Sequence, residues 1–238
     1  MHMKSCLFYL LSILLLLSCG SGKKNEDVGS TDNAQKEAKN ETKAKSPVLN
    51  VYNMGRVPQK DVNELVETLQ KVYPDTKFAG ELPLVDSAYI KNDSKGKNRY
   101  WWSKLLSHLK KTTDTRNGIT LVIVNAEICN WTKNGSHANL GMSNCGGHVS
   151  TISYQRLKVN HLNNINNLMK VVIHELGHST ARLVVEREDL RYHCPNAYCL
   201  MKDANNGFPY RGLTSFCQSC SKVMTEKGFN LNALQLKK

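Results

Sequence analysis

The sequence predicts an α+β domain, and three features carry that prediction. Strand-like and helix-like stretches alternate from residue 48 onward, residues 118–125 form a continuous apolar run, and a long apolar helix carries the pattern H-E-x-x-H at residues 174–178.

The chain has 238 residues, 40% of them hydrophobic, enough for one domain with appended segments. Residues 7–17, "LFYLLSILLLL", follow Lys4, fall short of the ~20 residues a membrane span needs, and are followed by small residues. Residues 1–18 are therefore expected to be a signal peptide. The junction "LLSC" at residues 16–19 resembles the lipobox of bacterial lipoproteins, in which the cysteine is acylated and becomes the new N-terminus. Cys19 is the expected lipidation site, and the expected location is the bacterial cell envelope, lipid-anchored and facing the periplasm or the exterior. An ordinary cleaved signal or an uncleaved anchor is the alternative.

Residues 19–47 have almost no large apolar side chains to offset the cost of ordering them, and read as a disordered tether. Acidic and basic residues nearly balance there, so the formal charge of +12 belongs mainly to the domain at residues 48–238. A basic surface outside the cytoplasm attracts anionic envelope components weakly and through salt screening. No basic helix with interleaved aromatics argues for nucleic acid, so a lipid bilayer, reached through the anchor, is the expected macromolecular neighbour.

The domain opens with a β-rich alternation at residues 48–53. Residues 58–73 follow, with apolar positions at helical spacing and proline in the first turn. A second strand is expected near residues 76–79, and residues 98–111, "NRYWWSKLLSHLKK", read as a second amphipathic helix. Trp101 and Trp102, beside Leu105, Leu106 and Leu109, are assigned to packing rather than to ligand stacking. The run "GITLVIVN" has the composition of a strand buried on both faces and is expected at the centre of the sheet. Two shorter strands, within residues 137–142 and 147–157, are expected on either side of a Gly/Asn/Cys turn. Cys129 and Cys145 flank the first of them, and an oxidising compartment makes a disulfide between them plausible, with two thiols as the alternative.

From residue 162 to about 181, Ile165, Leu168, Met169, Val172, Ile173 and Leu176 recur at intervals of three and four. His174 and His178 then share a face, one above the other at a rise of ~6 Å, so both imidazoles can reach one cation, with Glu175 beside them. Neutral imidazole and divalent zinc match in softness and geometry. Downstream, Cys194 and Cys199 form one thiol pair and Cys217 and Cys220 a second, spaced C-x-x-C. Two close pairs of thiolates suit a closed tetrahedral zinc site. Two disulfides are the alternative, although a C-x-x-C loop is too short for a good structural one.

Taken together, these segments resemble the archaemetzincins, zinc peptidases of the metzincin clan, over most of residues 48–224. The family stretch H-E-x-x-H-x-x-G-x-x-H-C, then C-x-M, then F-C-x-x-C is matched here by His174, Glu175 and His178, by His193 and Cys194, by Cys199 and Met201, and by Phe216, Cys217 and Cys220. Upstream, "LPLVDSAY", "RYWWSKLLSHL", "GITLVIV", "NLGM" and "VSTISYQRL" look like family segments in the same order. The resemblance implies a metzincin-like zincin domain: a mixed twisted sheet with an antiparallel edge strand, an active-site helix and a cysteine-rich zinc-binding C-terminal part. It implies two zinc ions, a catalytic one on His174, His178 and His193 and a structural one on Cys194, Cys199, Cys217 and Cys220. Glu175 would be the general base, Met201 would lie in the turn beneath the catalytic metal, and the substrate would be a peptide or protein. "VSTISY" would be the edge strand against which that peptide lies. A catalytically inactive module that binds peptides or envelope components is the alternative.

The departure from the pattern is local. The family glycine falls at Ala181, the third histidine position at Val184, and nine extra residues precede His193. Glycine there can turn left-handed, end the helix and return the chain to the metal; alanine cannot do so cheaply. A helix running on to residue 190 would carry the chain ~18 Å from His178, with three more residues spanning only ~10 Å, whereas a helix ending near Glu186 leaves seven residues that can span more than ~20 Å. His193 is expected to return. Glu186, Glu188 and Asp189, the competing ligands, read as a solvated helix end.

Overall fold

Parallel pairing of two neighbouring strands onto a third, with helices in the crossovers, dictates the frame. In the computed structural model the described residues are 47–85, 90–92, 98–115, 118–132, 135–181, 193–202 and 210–237. They fall in one unit spanning residues 44–238. The signal peptide, Cys19 and all but the last residue of the tether lie outside them, as do Val184, Glu186, Glu188 and Asp189. Among the described residues no helix is long and apolar enough to cross a membrane.

β1 (Val48–Met54) leads through α1 (Gln59–Val72) to β2 (Thr76–Leu82), which pairs with β1 in parallel. β5 (Gly118–Val124) lies on the other side of β1, also parallel, and β9 (Val149–Ser153) continues the parallel run beyond it. β8 (Gly141–Asn144) closes the sheet antiparallel to β9, giving the order β2-β1-β5-β9-β8. A second sheet, β3-β4-β6-β7, is built from β3 (Ile90–Asn92), β4 (Asn98–Trp101), β6 (Ile128–Thr132) and β7 (Gly135–Asn139).

The apolar run expected at the centre is there: every residue of β5 is buried, with strands on both sides. Its side chains divide by the two-residue period of a strand. Ile119, Leu121 and Ile123 enter a core shared with α1 and with α4 (Ile165–Ala181), while Val122 and Val124 enter a core shared with Tyr100 and with Trp102, Leu105 and Leu109 of α2 (Trp102–Thr112). Two covered faces explain a strand with no polar alternation.

The tail after α5 (Gln218–Glu226) straps the helical layer together. The Phe229 ring centroid lies 4.8 Å from that of Tyr73, Asn230 N–H donates to Val72 O at 2.7 Å, and Lys237 N–H donates to Asn166 Oδ1 at 2.7 Å. Phe229 is almost fully buried, a burial that stabilises the fold by about 2 kcal/mol.

Four expectations need correction. Residues 98–101 form β4 rather than the first turn of a helix, because Tyr100 and Trp101 pair in parallel with Ile128 and Cys129; strand pairing overrides a local helical pattern. Residues 137–142 belong to two strands in different sheets, divided at Leu140. The segment "VSTISY" is not an edge: β9 is flanked by β5 and β8, all five of its residues are buried, and Tyr154 begins α3 (Tyr154–Val159). Cys129 and Cys145 are thiols rather than a disulfide, Cys129 buried on β6 of the second sheet and Cys145 exposed in the turn after β8 of the first.

Candidate metal centre and active-site cleft

Helix α4 supplies the first two imidazoles. From Leu168 to Ala181 it is buried on every side, and its composition is apolar all round apart from Lys170, His174, Glu175, His178, Ser179 and Thr180. Its last described turn is held from outside: His178 O accepts from Gly146 N at 3.1 Å and Ser179 O from His148 N at 3.3 Å. The turn that donates them needs its glycines: Gly146 has φ +64°, and a Cβ on Gly147 would fall 1.8 Å from Asn144 Nδ2. The β8–β9 turn thus donates to the last described turn of the helix, which includes Ala181 at the position of the family glycine.

His193 does return. Its ring centroid lies 5.3 Å from that of His174 and 4.9 Å from that of His178, and one nitrogen from each of the three imidazoles falls within 4.8 Å of the others. His174 Nε2 and His178 Nε2 are 3.1 Å apart, against ~3.3 Å for two nitrogens on a tetrahedral zinc at ~2.0–2.1 Å each. The tautomer of His174 follows from its other nitrogen. A carbonyl only accepts, so the 2.7 Å contact with Leu200 O is a hydrogen bond donated by Nδ1, leaving the lone pair on Nε2 to face the cluster. Burial, opposed by that carbonyl and reinforced by His193, pushes the His174 pKa down to about 3, so the ring is neutral at neutral pH. A basic nitrogen this close to a second imidazole nitrogen requires a proton or a cation between them, and one cation can serve all three rings. The donor set fits zinc.

The four C-terminal cysteines form a second cluster, again with ligand atoms within 4.8 Å of one another. Cys194 Sγ and Cys217 Sγ are 3.7 Å apart, too far for a disulfide at ~2.05 Å and close to the ~3.8 Å expected of two sulfurs at ~2.3 Å on a tetrahedral zinc. Cys199 Sγ accepts from Cys217 N at 3.2 Å and Met201 N at 3.4 Å. The Cys220 thiol donating to it, together with these amides, holds Cys199 down at about 5 against the opposing effect of burial, and Cys220 is correspondingly pushed up. The pocket therefore favours a thiolate, the form a metal needs. Met201 is fully buried. Its carbonyl accepts from Cys194 N at 2.7 Å, and the preceding carbonyl, Leu200 O, is the one that orients His174.

Glu175 lies against the edge strand. Ser143 Oγ on β8 donates to Glu175 Oε2 at 2.6 Å, and a Cβ on Gly141 would fall 2.7 Å from Oε1 and 2.6 Å from Cγ, so only glycine leaves room for this side chain. Burial raises the carboxyl to about 7, with the Ser143 hydrogen bond opposing the rise. Ser150 on β9 reaches Glu175 O at 3.1 Å and donates to Ser179 Oγ at 2.8 Å, pinning α4 to the sheet. Glu175, Gly141, Ser143 and the three imidazoles border a cleft of about 610 Å³. Trp102, assigned from sequence to packing, is indeed core but also lines this cleft, and so does Tyr210, whose ring centroid is 5.1 Å from that of His174. Lys170, buried one helical turn before His174, donates to Tyr210 O at 3.3 Å. Sequence reasoning missed Gly141, Ser143, Ser150 and Tyr210: Gly141 and Ser150 fall in segments read as strands and Ser143 in the turn between them, with no signal of their own.

No known family profile and no curated protein matches the chain. Solved structures do. The fold is similar to that of an archaemetzincin from Methanopyrus kandleri, with a TM-score of 0.59 and 20% identity over 78% of this chain and 98% of that one. It is also similar to that of a zinc-dependent peptidase from Methanocorpusculum labreanum (strain Z), with a TM-score of 0.52 and 16% identity over 74% of this chain and 99% of that one. At such identity the likeness is one of fold: α+β and metzincin-like, with a mixed sheet, a histidine triad and a C-terminal cysteine cluster.

Native mass spectrometry of the purified protein is expected to find two zinc ions per chain. His193→Ala and Cys199→Ser should each retain one. A parent protein with a single zinc, unchanged in His193→Ala, would contradict the assignment of the imidazole cluster.

Proposed function

We propose that the chain is a zinc-dependent peptidase, with His174, His178 and His193 holding the catalytic ion and Glu175 acting as general base. The observation that carries this reading is the convergence of the three imidazoles with a buried carboxylate beside them at the floor of a cleft. A zinc ion at such a centre supplies Lewis acidity toward water and toward a peptide carbonyl. Three protein ligands on a tetrahedral ion leave a position for the reacting groups, whereas the four cysteines leave none, which assigns catalysis to the first cluster and a structural role to the second.

Glu175 takes the proton of the attacking water and later delivers it to the departing amine. Ser143 occupies Oε2, so Oε1, beside Gly141, is the oxygen that exchanges the proton. The peptide is held by β8. Among the described residues this strand pairs on one side only, with β9, and its residues Gly141 to Asn144 line the cleft, so an extended peptide can add its backbone to the other side. The rival reading, a module that binds without catalysis, is motivated by the lost glycine and the displaced third histidine; the convergence of His193 with the other two imidazoles supports the peptidase reading over it. The domain organisation we favour is a signal peptide at residues 1–18, a tether from the lipidated Cys19 to residue 47, and the peptidase at residues 48–238, supported by sequence composition and the "LLSC" junction.

Two outcomes are expected. Glu175→Gln should keep both zinc ions and lose at least ~100-fold in hydrolysis of a mixed peptide library, the usual contribution of a positioned proton carrier; activity equal to the parent's would refute the mechanism. Expressed from the full gene in a bacterial host, the protein should fractionate with membranes, and Cys19→Ser should release it to the soluble fraction. An unchanged distribution would refute the lipid anchor.

A further inference from the structure

Glu175 is held by a strand rather than by its own helix, and the details of that hold assign a role to Ser143. The Ser143 hydroxyl has one proton and three acceptors within reach: Glu175 Oε2 at 2.6 Å, Glu175 O at 2.8 Å and Ser150 Oγ at 3.0 Å. A carboxylate is the strongest acceptor of the three and makes the shortest contact, so the Ser143 proton goes to Oε2. Two residues earlier on the same face of β8, the absent side chain of Gly141 leaves the space that Glu175 Cγ and Oε1 occupy.

We propose that Ser143 is a positioning residue for the general base: its hydroxyl, with the gap at Gly141, fixes the Glu175 carboxylate so that Oε1 is presented to the cleft, on the strand proposed to hold the substrate. This rests on the peptidase reading and deepens it. The strand that seats the peptide backbone is also the strand that orients the base. Any shift of β8 therefore moves the scissile bond and the proton acceptor together, which keeps their mutual geometry constant. Two small residues are required for this. A larger side chain at 141 would expel the carboxylate, and an apolar one at 143 would leave it without its hydrogen bond and free to rotate.

The test compares Ser143→Ala, Ser143→Thr and Gly141→Ala with the parent protein in zinc content, steady-state kinetics and crystal structure. A misplaced catalytic group costs up to ~100-fold in rate, and loss of one orienting hydrogen bond is expected to cost ~10-fold. Ser143→Ala should keep two zinc ions, lower kcat ~10-fold with KM within about twofold, and show the Glu175 carboxylate turned away from its position in the parent. Ser143→Thr, which retains the hydroxyl, should recover most of kcat. Gly141→Ala should displace the carboxylate from the opposite side. A Ser143→Ala protein with parental kcat and an unmoved carboxylate would overturn the proposal. So would a loss of zinc or a rise in KM that accounts for the whole effect, since either would mark a merely structural residue. If the parent protein hydrolyses no peptide, the peptidase reading fails by itself, and the carboxylate positions in the crystals still decide whether Ser143 orients Glu175.

Discussion

The site depends on where one imidazole, that of His193, is fixed. Two ligands four residues apart on a helix follow from helical geometry, but the third comes from chain that has left the helix and must be brought back. Here the cysteine cluster fixes the return. Cys194, the next residue, is tied to Cys217 across 3.7 Å and through its backbone to Met201 O, and the loop it closes presents Leu200 O to His174 Nδ1. The two clusters are linked by the His193–Cys194 peptide and by the hydrogen bond from His174 to Leu200 O, so a metal held by the cysteines would help to fix the ring positions of the other cluster.

This arrangement brings in the third imidazole without the glycine of the family pattern. A helix terminated by a left-handed glycine aims the following chain by local geometry alone. With Ala181 that glycine is missing. The β8–β9 turn satisfies the His178 and Ser179 carbonyls, while the cysteines determine where His193 stands. The length of the chain between them is then a weak variable, because the free energy of closing a loop grows only with the logarithm of its length. Extra residues between helix and third ligand cost little once both ends are anchored independently.

Much of the architecture was legible because it follows from patterns that one segment carries by itself. The all-apolar "GITLVIV" fits a strand with two covered faces, the Pro58-led amphipathic stretch fits α1, and the H-E-x-x-H spacing places two rings and a carboxylate with no knowledge of the rest. What was missed depends on partners distant in sequence. Residues 98–101 have a helical pattern but pair with β6; the family resemblance made β9 an edge strand, but β8 pairs with its outer side. Gly141 and Ser143 have no signature in their own segment, since their roles are set by Glu175, more than thirty residues away. The strap from Phe229 to Lys237 falls beyond the motifs that drew attention and is held by contacts to α1, α4 and Tyr73.

The central claim is that three imidazoles from separate stretches of chain share one metal ion while four cysteines hold another. Anomalous diffraction at the zinc absorption edge from crystals of the zinc-loaded protein tests it most directly. The account predicts two peaks, one at ~2.0–2.1 Å from a nitrogen of each of His174, His178 and His193 and one at ~2.3 Å from the sulfurs of Cys194, Cys199, Cys217 and Cys220. A map with no peak among the imidazoles, or with His193 turned away and the ion held by the two helix histidines alone, would contradict it.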